Sequence, residues 1–334
     1  MSAGTAPARR PLGRTGLEVP SLAFGTAPLG DVFGPVDERT AIDAVHAAID
    51  AGIDWFDTAP LYGFGLAEER LGRALLGRRD RVHVATKCCR DRFDGFDFSA
   101  RRVTDSVEES LRRLRTDHVD LLQIHDVEFG DREILLEETL PAARRVQAAG
   151  KARFIGISGL PVRYLRWLAE RAELDTLLSW GHCNLVEDEL VEELVPLAEA
   201  RGIGLINASP LLQGVLTDRG PPPWHRSPRP VLETGPRIAA LCRTRGTDVA
   251  SVAIRHAVEH AAVATTIVGM QSRAELEANL AALARPIPEG LLDEIAELVA
   301  PVKNMMWFEG RPENNIPPTD PNRYVPRPPS VTQT

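Results

Sequence analysis

The sequence predicts an α/β fold, a (β/α)8 TIM barrel with an N-terminal β-hairpin cap and long loops over its C-terminal face. Three observations predict it. Short apolar runs alternate with longer stretches of helical period, an order that calls for parallel strand pairing and right-handed crossovers. The runs number eight, enough strands to close a barrel. The rival architecture, a doubly wound nucleotide fold, needs Gly-x-Gly-x-x-Gly after an early strand. The nearest stretch begins at Gly63 and places Glu68 where the third glycine belongs.

Residues 1–9 are small and polar, which predicts a disordered N-terminus. Between residues 10 and 21, Arg14 and Thr15 with Gly16 join two short extended pieces, the hairpin cap. The apolar runs then fall at 21–25, 53–57, 81–87, 119–125, 152–158, 176–180, 203–207 and 264–268. Helical period marks 38–51, 67–76, 99–115, 132–149, 162–171, 187–201 and 272–284. Gly52, Gly150 and Gly202 stand where a left-handed stop is expected. The gap from 207 to 264 holds a Pro-rich loop at 220–230 and helical stretches at 235–245 and 248–260, an insertion over the barrel mouth. The barrel thus covers 10–300. Beyond it, 301–334 is rich in Pro and Asn; its first half, with Trp307 and Phe308, predicts a covering loop, and its last dozen residues a tail.

The net charge of −8, from 39 basic and 47 acidic residues without long blocks of one sign, argues against nucleic acid or an anionic membrane as the main partner. A small molecule fits better. Cys88, Cys89, Cys183 and Cys242 show neither Cys-x-x-Cys spacing nor a disulfide framework, so no metal is expected and a reducing compartment is. Residues 1–10 lack the apolar centre of a secretory signal, and no apolar run approaches about 18 residues. These features predict a cytoplasmic protein.

In a parallel barrel, reactive side chains gather at the carboxyl ends of strands and in the loops that follow. Asp57 ends the second run and Tyr62 follows it; Lys87 closes the third and His125 the fourth. Each has a bland reading as helix cap, packing or solvated strand end, but a carboxylate, a phenol, an ammonium and an imidazole here converge on one rim. Lys and Asp are rarely buried unless paired, so Asp57 and Lys87 are expected to form an ion pair. A tyrosine ionises near pH ~10 and an adjacent cation lowers that value, so Lys87 is expected to make Tyr62 a usable acid or base near neutrality. His125 would place and polarise a substrate oxygen.

The motifs around these residues, with Phe154 to Ser158, Ala208 to Gly214 and Val268 to Asn279, resemble the aldo-keto reductases along nearly the whole chain. Several stretches look like the family's aldose 1-dehydrogenases. The resemblance implies a nicotinamide cofactor across the barrel mouth and makes Asp57, Tyr62, Lys87 and His125 the catalytic tetrad. It places Gly25 and Thr26 near the nicotinamide, Ser158 at its carboxamide, Ser209, Leu211 and Gly214 around the pyrophosphate, and Gly269, Gln271, Glu275 and Asn279 at the adenosine. Many relatives carry a stacking Tyr where this chain has Ala208, and a Gln where it has Trp180; Trp180 is therefore expected to supply the aromatic face. NADP-preferring members carry Arg near the positions of Gln271 and Glu275, so NAD is the expected preference, with Arg273 the nearest cation.

Phe33, Phe64, Asp126, Trp224, His225 and Trp307 are candidate substrate contacts, aromatic rings with a few polar groups being suited to a sugar face. The implied activity is NAD-dependent oxidation of a free aldose of the L-galactose, L-fucose or D-arabinose type at C1 to its lactone. Two alternatives stand beside it: a dehydrogenase or reductase for another small alcohol or aldehyde such as pyridoxal, and a nicotinamide-binding regulatory subunit. A monomer or weak homo-oligomer is expected.

Overall fold

The computed structural model describes residues 6–317; the expectations for 1–5 and for the tail from 318 lie outside the described residues. Strands β1 (Arg9–Pro11) and β2 (Glu18–Pro20) pair antiparallel, with Arg9 opposite Pro20. Residues 6–9, expected to be disordered with the extreme N-terminus, are instead tied down. Ser21 N donates to Ala8 O at 2.7 Å, Pro7 is buried, and Arg9 already belongs to β1. β3 (Leu22–Gly25), β4 (Trp55–Asp57), β5 (His83–Cys88), β6 (Val119–Ile124), β7 (Ala152–Gly159), β8 (Thr176–Trp180), β9 (Gly204–Ala208) and β10 (Thr265–Gly269) form a closed parallel barrel in chain order, β10 pairing with both β9 and β3.

The hairpin plugs the amino end of this barrel. Leu12, Leu17 and Val19 are buried against Trp55, Leu121, Leu178 and Ile206, which point inward from the strands. Gly13 sits at φ 53°, and any Cβ there would overlap Gly204 N, so only glycine allows this approach.

The helices are α1 (Glu38–Asp50), α2 (Leu66–Ala74), α3 (Ala100–Leu114), α4 (Arg132–Ile134), α5 (Leu140–Ala148), α6 (Val162–Ala169), α7 (Val195–Arg201), α8 (Arg229–Thr244), α9 (Val249–Glu259), α10 (Arg273–Ala284) and α11 (Leu291–Val299). Asp37, Ser99, Asp248 and Ser272 cap α1, α3, α9 and α10 through their side-chain oxygens. The single helices expected at 132–149 and 187–201 each contain a π turn, Leu135–Thr139 and Leu190–Leu194. In both, a proline (Pro141, Pro196) follows within two residues. It has no N–H to donate and its ring crowds the backbone carbonyl a turn back, so the wider turn relieves a clash that a regular helix would keep.

The insertion differs from expectation. α8 starts six residues early and packs Ile238, Ala239 and Cys242 against Val252 and Ala253 of α9 and Leu291 and Ile295 of α11. It belongs to the outer layer, and the loop before it, with Leu212 and His225, is what reaches the rim. No helix among the described residues is long and apolar enough to cross a membrane.

Strand alternation decides which side chains face the barrel axis. Trp55, Ala85, Leu121 and Leu178 fill the interior. Two residues further on, the same face carries Asp57, Lys87, Gln123 and Trp180. Register sets Lys87 beside Gln123, and Asp57 one inward-facing position lower, beside Ala85.

Candidate active site

Asp57, Lys87 and Tyr62 meet at the carboxyl end of the barrel; Asp57 and Lys87 are 3% and 2% exposed, and Tyr62 is half-buried. Lys87 Nζ donates to Asp57 Oδ1 at 2.5 Å and to Thr58 O at 2.8 Å, and lies 3.3 Å from Tyr62 Oη. Gln123 Nε2 donates to the other Asp57 oxygen at 3.1 Å. Tyr62 is held on its loop by a close backbone approach: Gly63, at φ 63°, sits against Gly30, and a Cβ on Gly30 would come within 2.5 Å of the Tyr62 carbonyl. The His125 ring meets the Tyr62 ring edge-on, centroids 6.1 Å apart, so phenol and imidazole share one opening.

Burial lifts Asp57 above its ordinary carboxylate range against the pull of Lys87. Burial alone would lower Lys87, but Asp57 and Tyr62 outweigh it and hold the ammonium above its usual range. Each partner favours the charged form of the other. Tyr62 corrects an expectation. Its phenol is raised, not lowered, because burial and the charge of Asp57 outweigh Lys87. The sequence shows the cation but not the dehydration that competes with it. His125 is pushed down to about 3 by burial, with Lys87 and Arg90 adding to the shift against Asp126, so its ring is neutral at physiological pH. Nδ1 of that ring is buried with no partner among the described residues.

Asp126, proposed from the sequence as a substrate contact, sits beside this opening in a left-handed conformation, φ 50°, and pairs with Arg90. Burial would raise its carboxyl, but His125 and Arg90 hold it below the ordinary range. The Arg90 guanidinium lies over the Phe96 ring, 4.7 Å from its centroid, and Phe96 stacks on Phe129 at 4.0 Å. Gln123 and Arg90 were not foreseen. Gln123 was accessible from alternation, two residues before His125; nothing local in the sequence marks Arg90.

The other substrate candidates divide. Trp307 is buried against Trp180, centroids 5.7 Å apart, and against His225 at 5.5 Å. His225 cannot offer a ring nitrogen to a sugar hydroxyl as expected: Nε2 is 3.0 Å from Leu212 O, and Nδ1 accepts from Ser227 N at 3.0 Å. It fixes the rim loop instead. Trp224, Phe33 and Phe64 are more than half exposed, Trp224 stacked on His225 and Phe64 edge-on to Phe93.

The residues expected at a cofactor fit a nicotinamide dinucleotide. At the barrel end Gly25 and Gly269 present no side chain, and a Cβ on Gly25 would come within 2.9 Å of Ile267. Thr26 Oγ1 beside them is buried without a partner among the described residues. Ser158 Oγ, level with the tetrad, accepts only a long bond from Asp126 N, 3.4 Å. Trp180 pairs in register with Ala208, so its ring stands over a small neighbour. Ser209, Leu212, Gln213 and Gly214 all have positive φ and form a tight turn in which Leu212 N and Gly214 N donate to Ser209 O and Leu211 O; Leu211, between them, is partly buried. Asn279 lies one turn beyond Glu275 on α10, and Glu275 turns back to accept from Gln271 N at 2.8 Å.

A separate buried group, His182, Glu187 and Glu189, brings its ligand-type atoms within 4.8 Å of one another. Arg163 Nη2 stands 2.7 Å from Glu189 Oε1 and supplies opposing charge there.

A parallel barrel whose mouth sets a buried ammonium against a phenol fits an oxidoreductase of CH–OH or carbonyl substrates. The chain belongs to the aldo/keto reductase family, whose model matches residues 21–300. It is 40% identical over 316 residues to L-galactose dehydrogenase of Arabidopsis thaliana, covering 91% of this chain and 98% of that protein. It is 32% identical over 311 residues to D-threo-aldose 1-dehydrogenase of a Pseudomonas species, covering 84% and 94%. Among solved structures, an aldo-keto reductase from Bacillus halodurans in its holo form superposes with a TM-score of 0.75 at 26% identity, covering 93% of this chain and all of that one.

Proposed function

We propose that this protein oxidises a free aldose of the L-galactose, L-fucose or D-arabinose type at C1 to the aldonolactone, with NAD preferred and Tyr62 as the acid/base group. The carrying observation is the position of Lys87, locked by Asp57 at 2.5 Å and 3.3 Å from Tyr62 Oη. Similarity to aldose dehydrogenases over most of the chain supports the substrate class.

When bound, the nicotinamide supplies a hydride-accepting ring that is positively charged in its oxidised form. Gly25, Thr26, Ser158 and Trp180 would hold its nicotinamide end, the turn from Ser209 through Leu211 to Gly214 its pyrophosphate, and Gly269, Gln271, Glu275 and Asn279 its adenosine. Tyr62, as a phenolate favoured by Lys87, takes the proton of the anomeric hydroxyl at Oη and becomes the neutral phenol. His125, neutral, hydrogen-bonds the same oxygen and orients it. In the reverse direction the phenol already carries its proton and acts as the acid.

NAD preference rests on Glu275. Its carboxylate occupies the amide end of α10 through Gln271 N, the place where a ribose phosphate would otherwise bind. Oxidation of L-galactose, L-fucose, D-arabinose and pyridoxal with NAD tests the reading, pyridoxal turnover without sugar turnover being the result against it. Tyr62→Phe is expected to lose roughly 10²-fold or more in turnover while binding cofactor normally. Trp180→Ala is expected to weaken cofactor binding.

A further inference from the structure

The two oxygens of Asp57 are held from different strands. Lys87 of β5 donates to Oδ1 at 2.5 Å, and Gln123 of β6 donates to Oδ2 through Nε2 at 3.1 Å. Gln123 is fully buried, with Lys87 beside it in register on one flank and Gly156, which carries no side chain, on the other. The two ends of an amide have nearly the same shape, so their partners decide which points where. Its oxygen, Oε1, is buried and has no partner among the described residues. Turning the amide over would set that oxygen against a carboxylate oxygen, so the charge on Asp57 fixes Gln123 in the one orientation that donates.

This bond bears on where a proton sits. Between Lys87 Nζ and Asp57 Oδ1 the proton resides on nitrogen, giving ammonium and carboxylate, or on oxygen, giving amine and acid. Burial favours the uncharged pair. Two neighbours oppose it: Thr58 O accepts from Nζ at 2.8 Å and favours the ammonium, while Gln123 favours the carboxylate. Only the charged pair sets a cation 3.3 Å from Tyr62 Oη. The two charges pull the phenol in opposite directions and Lys87 pulls harder, so losing both together raises it further.

We propose that Gln123 is a positioning residue: by holding the second oxygen of Asp57 it keeps the Asp57–Lys87 pair charged, and so keeps a cation beside Tyr62. It acts through Asp57 and Lys87 and touches no reacting atom. The inference rests on the reading of Tyr62 as the acid/base group.

The titration of Tyr62, followed by ultraviolet difference absorbance between each variant and its Tyr62→Phe counterpart, reads the effect without cofactor or sugar. Gln123→Met removes the donor at similar length and volume, and the titration is expected to rise by about half a pH unit or more. Gln123→His keeps a ring N–H at similar reach from the backbone, so no rise is expected. A role in packing alone predicts the reverse order, since an unbranched Met replaces Gln with less disturbance than a ring. With NAD and L-galactose, the acid limb of the kcat profile should move up in Gln123→Met while KM for the sugar stays within about twofold of wild type. No rise in Gln123→Met, or an equal rise in Gln123→His, overturns the assignment. Should Gln123→Met fail to fold, Gln123→Leu takes its place in the same comparison. A Tyr62→Phe protein that keeps its turnover defeats the acid/base reading and this inference with it. A dehydrogenase that depends on Tyr62, yet whose Tyr62 titration ignores Gln123→Met, defeats this inference alone.

Discussion

Lys87 and Asp57 form a buried ion pair in which every strong contact of the ammonium is local: Asp57 Oδ1 at 2.5 Å, Thr58 O at 2.8 Å and Tyr62 Oη at 3.3 Å. Breaking such a pair from one side leaves a dehydrated charge without its partner, which costs roughly 3–5 kcal/mol. Asp57→Asn and Lys87→Met are each expected to destabilise the protein by about that amount. The double variant should recover a large part of the loss, because it leaves no orphaned charge. Urea unfolding of the four proteins measures the coupling; strictly additive losses would contradict it. Activity should stay lost in all three variants, separating the pair's chemical role from its structural one.

The raised ionisation of Tyr62 gives a second expectation. In the protein without ligand, the phenol should titrate above the ordinary tyrosine value of about 10, since burial outweighs Lys87. Absorbance near 295 nm, taken as the difference between wild type and Tyr62→Phe, isolates this one group. Addition of NAD should move the titration down, because a positive ring then joins Lys87 in favouring phenolate. Oxidation should correspondingly quicken as pH rises, and carbonyl reduction should hold up at lower pH. A Tyr62 ionising below 10 without cofactor would show that Lys87 prevails over burial after all.

Much of this site could be read from strand periodicity, because residues two apart on a barrel strand share a face. That rule puts Asp57, Lys87 and Gln123 on the inward face, Lys87 and Gln123 directly paired and Asp57 beside Ala85. The Asp57–Lys87 pair followed from the cost of burying either charge alone. The Tyr62 shift did not, because burial is set by the packing of Gly30 against Gly63 and by the rings around them, which no local pattern records. Arg90 escaped for a related reason: it meets Asp126 across a long separation, lying over the Phe96 and Phe129 rings. The Pro- and Asn-rich composition after residue 300 predicts a covering loop, but not that Asn304 and Asn314 pin it through Asp188 and the carbonyls of Glu128 and Gly130. Likewise His225 looked like a hydroxyl contact until both ring nitrogens were found on the backbone of its own loop.

Buried neutral histidines make stability fall in acid. His182 is 2% exposed, and burial, with Arg163 adding to it against the carbonyl of Trp180, holds its pKa down to about 3. An unfolded histidine titrates near 6.5. Between those values the unfolded chain binds a proton that the folded chain refuses, so stability is full above about 6.5 and declines as pH falls toward about 3. From pH 7.5 to 5 this one residue should cost about 2 kcal/mol. His182→Gln is expected to reduce the difference between urea unfolding at the two pH values by that amount, whatever its effect on stability at neutral pH. An unchanged difference would mean that His182 is not what the acid titrates.

The cofactor preference turns on one carboxylate at a helix end. Glu275 lies in the first turn of α10, its backbone N–H capped by Ser272 and its side chain accepting from Gln271 N. A negative charge at that end complements the helix dipole and occupies the amide that would otherwise attract an anion. NADP brings a dianionic phosphate to the same region, so repulsion and lost donors act together against it, whereas NAD brings a hydroxyl that a carboxylate can accept. The wild-type ratio of kcat/KM for NAD over NADP is therefore expected to exceed tenfold. Glu275→Gln keeps an acceptor for Gln271 N and removes the charge, so it should narrow the ratio by raising NADP efficiency more than it lowers that of NAD. Glu275→Arg should carry the preference further toward NADP, since a guanidinium can grip a phosphate with two donors. If Arg273 turns inward and already supplies that grip, wild type will use both cofactors alike, and Arg273→Ala will then lower NADP efficiency alone.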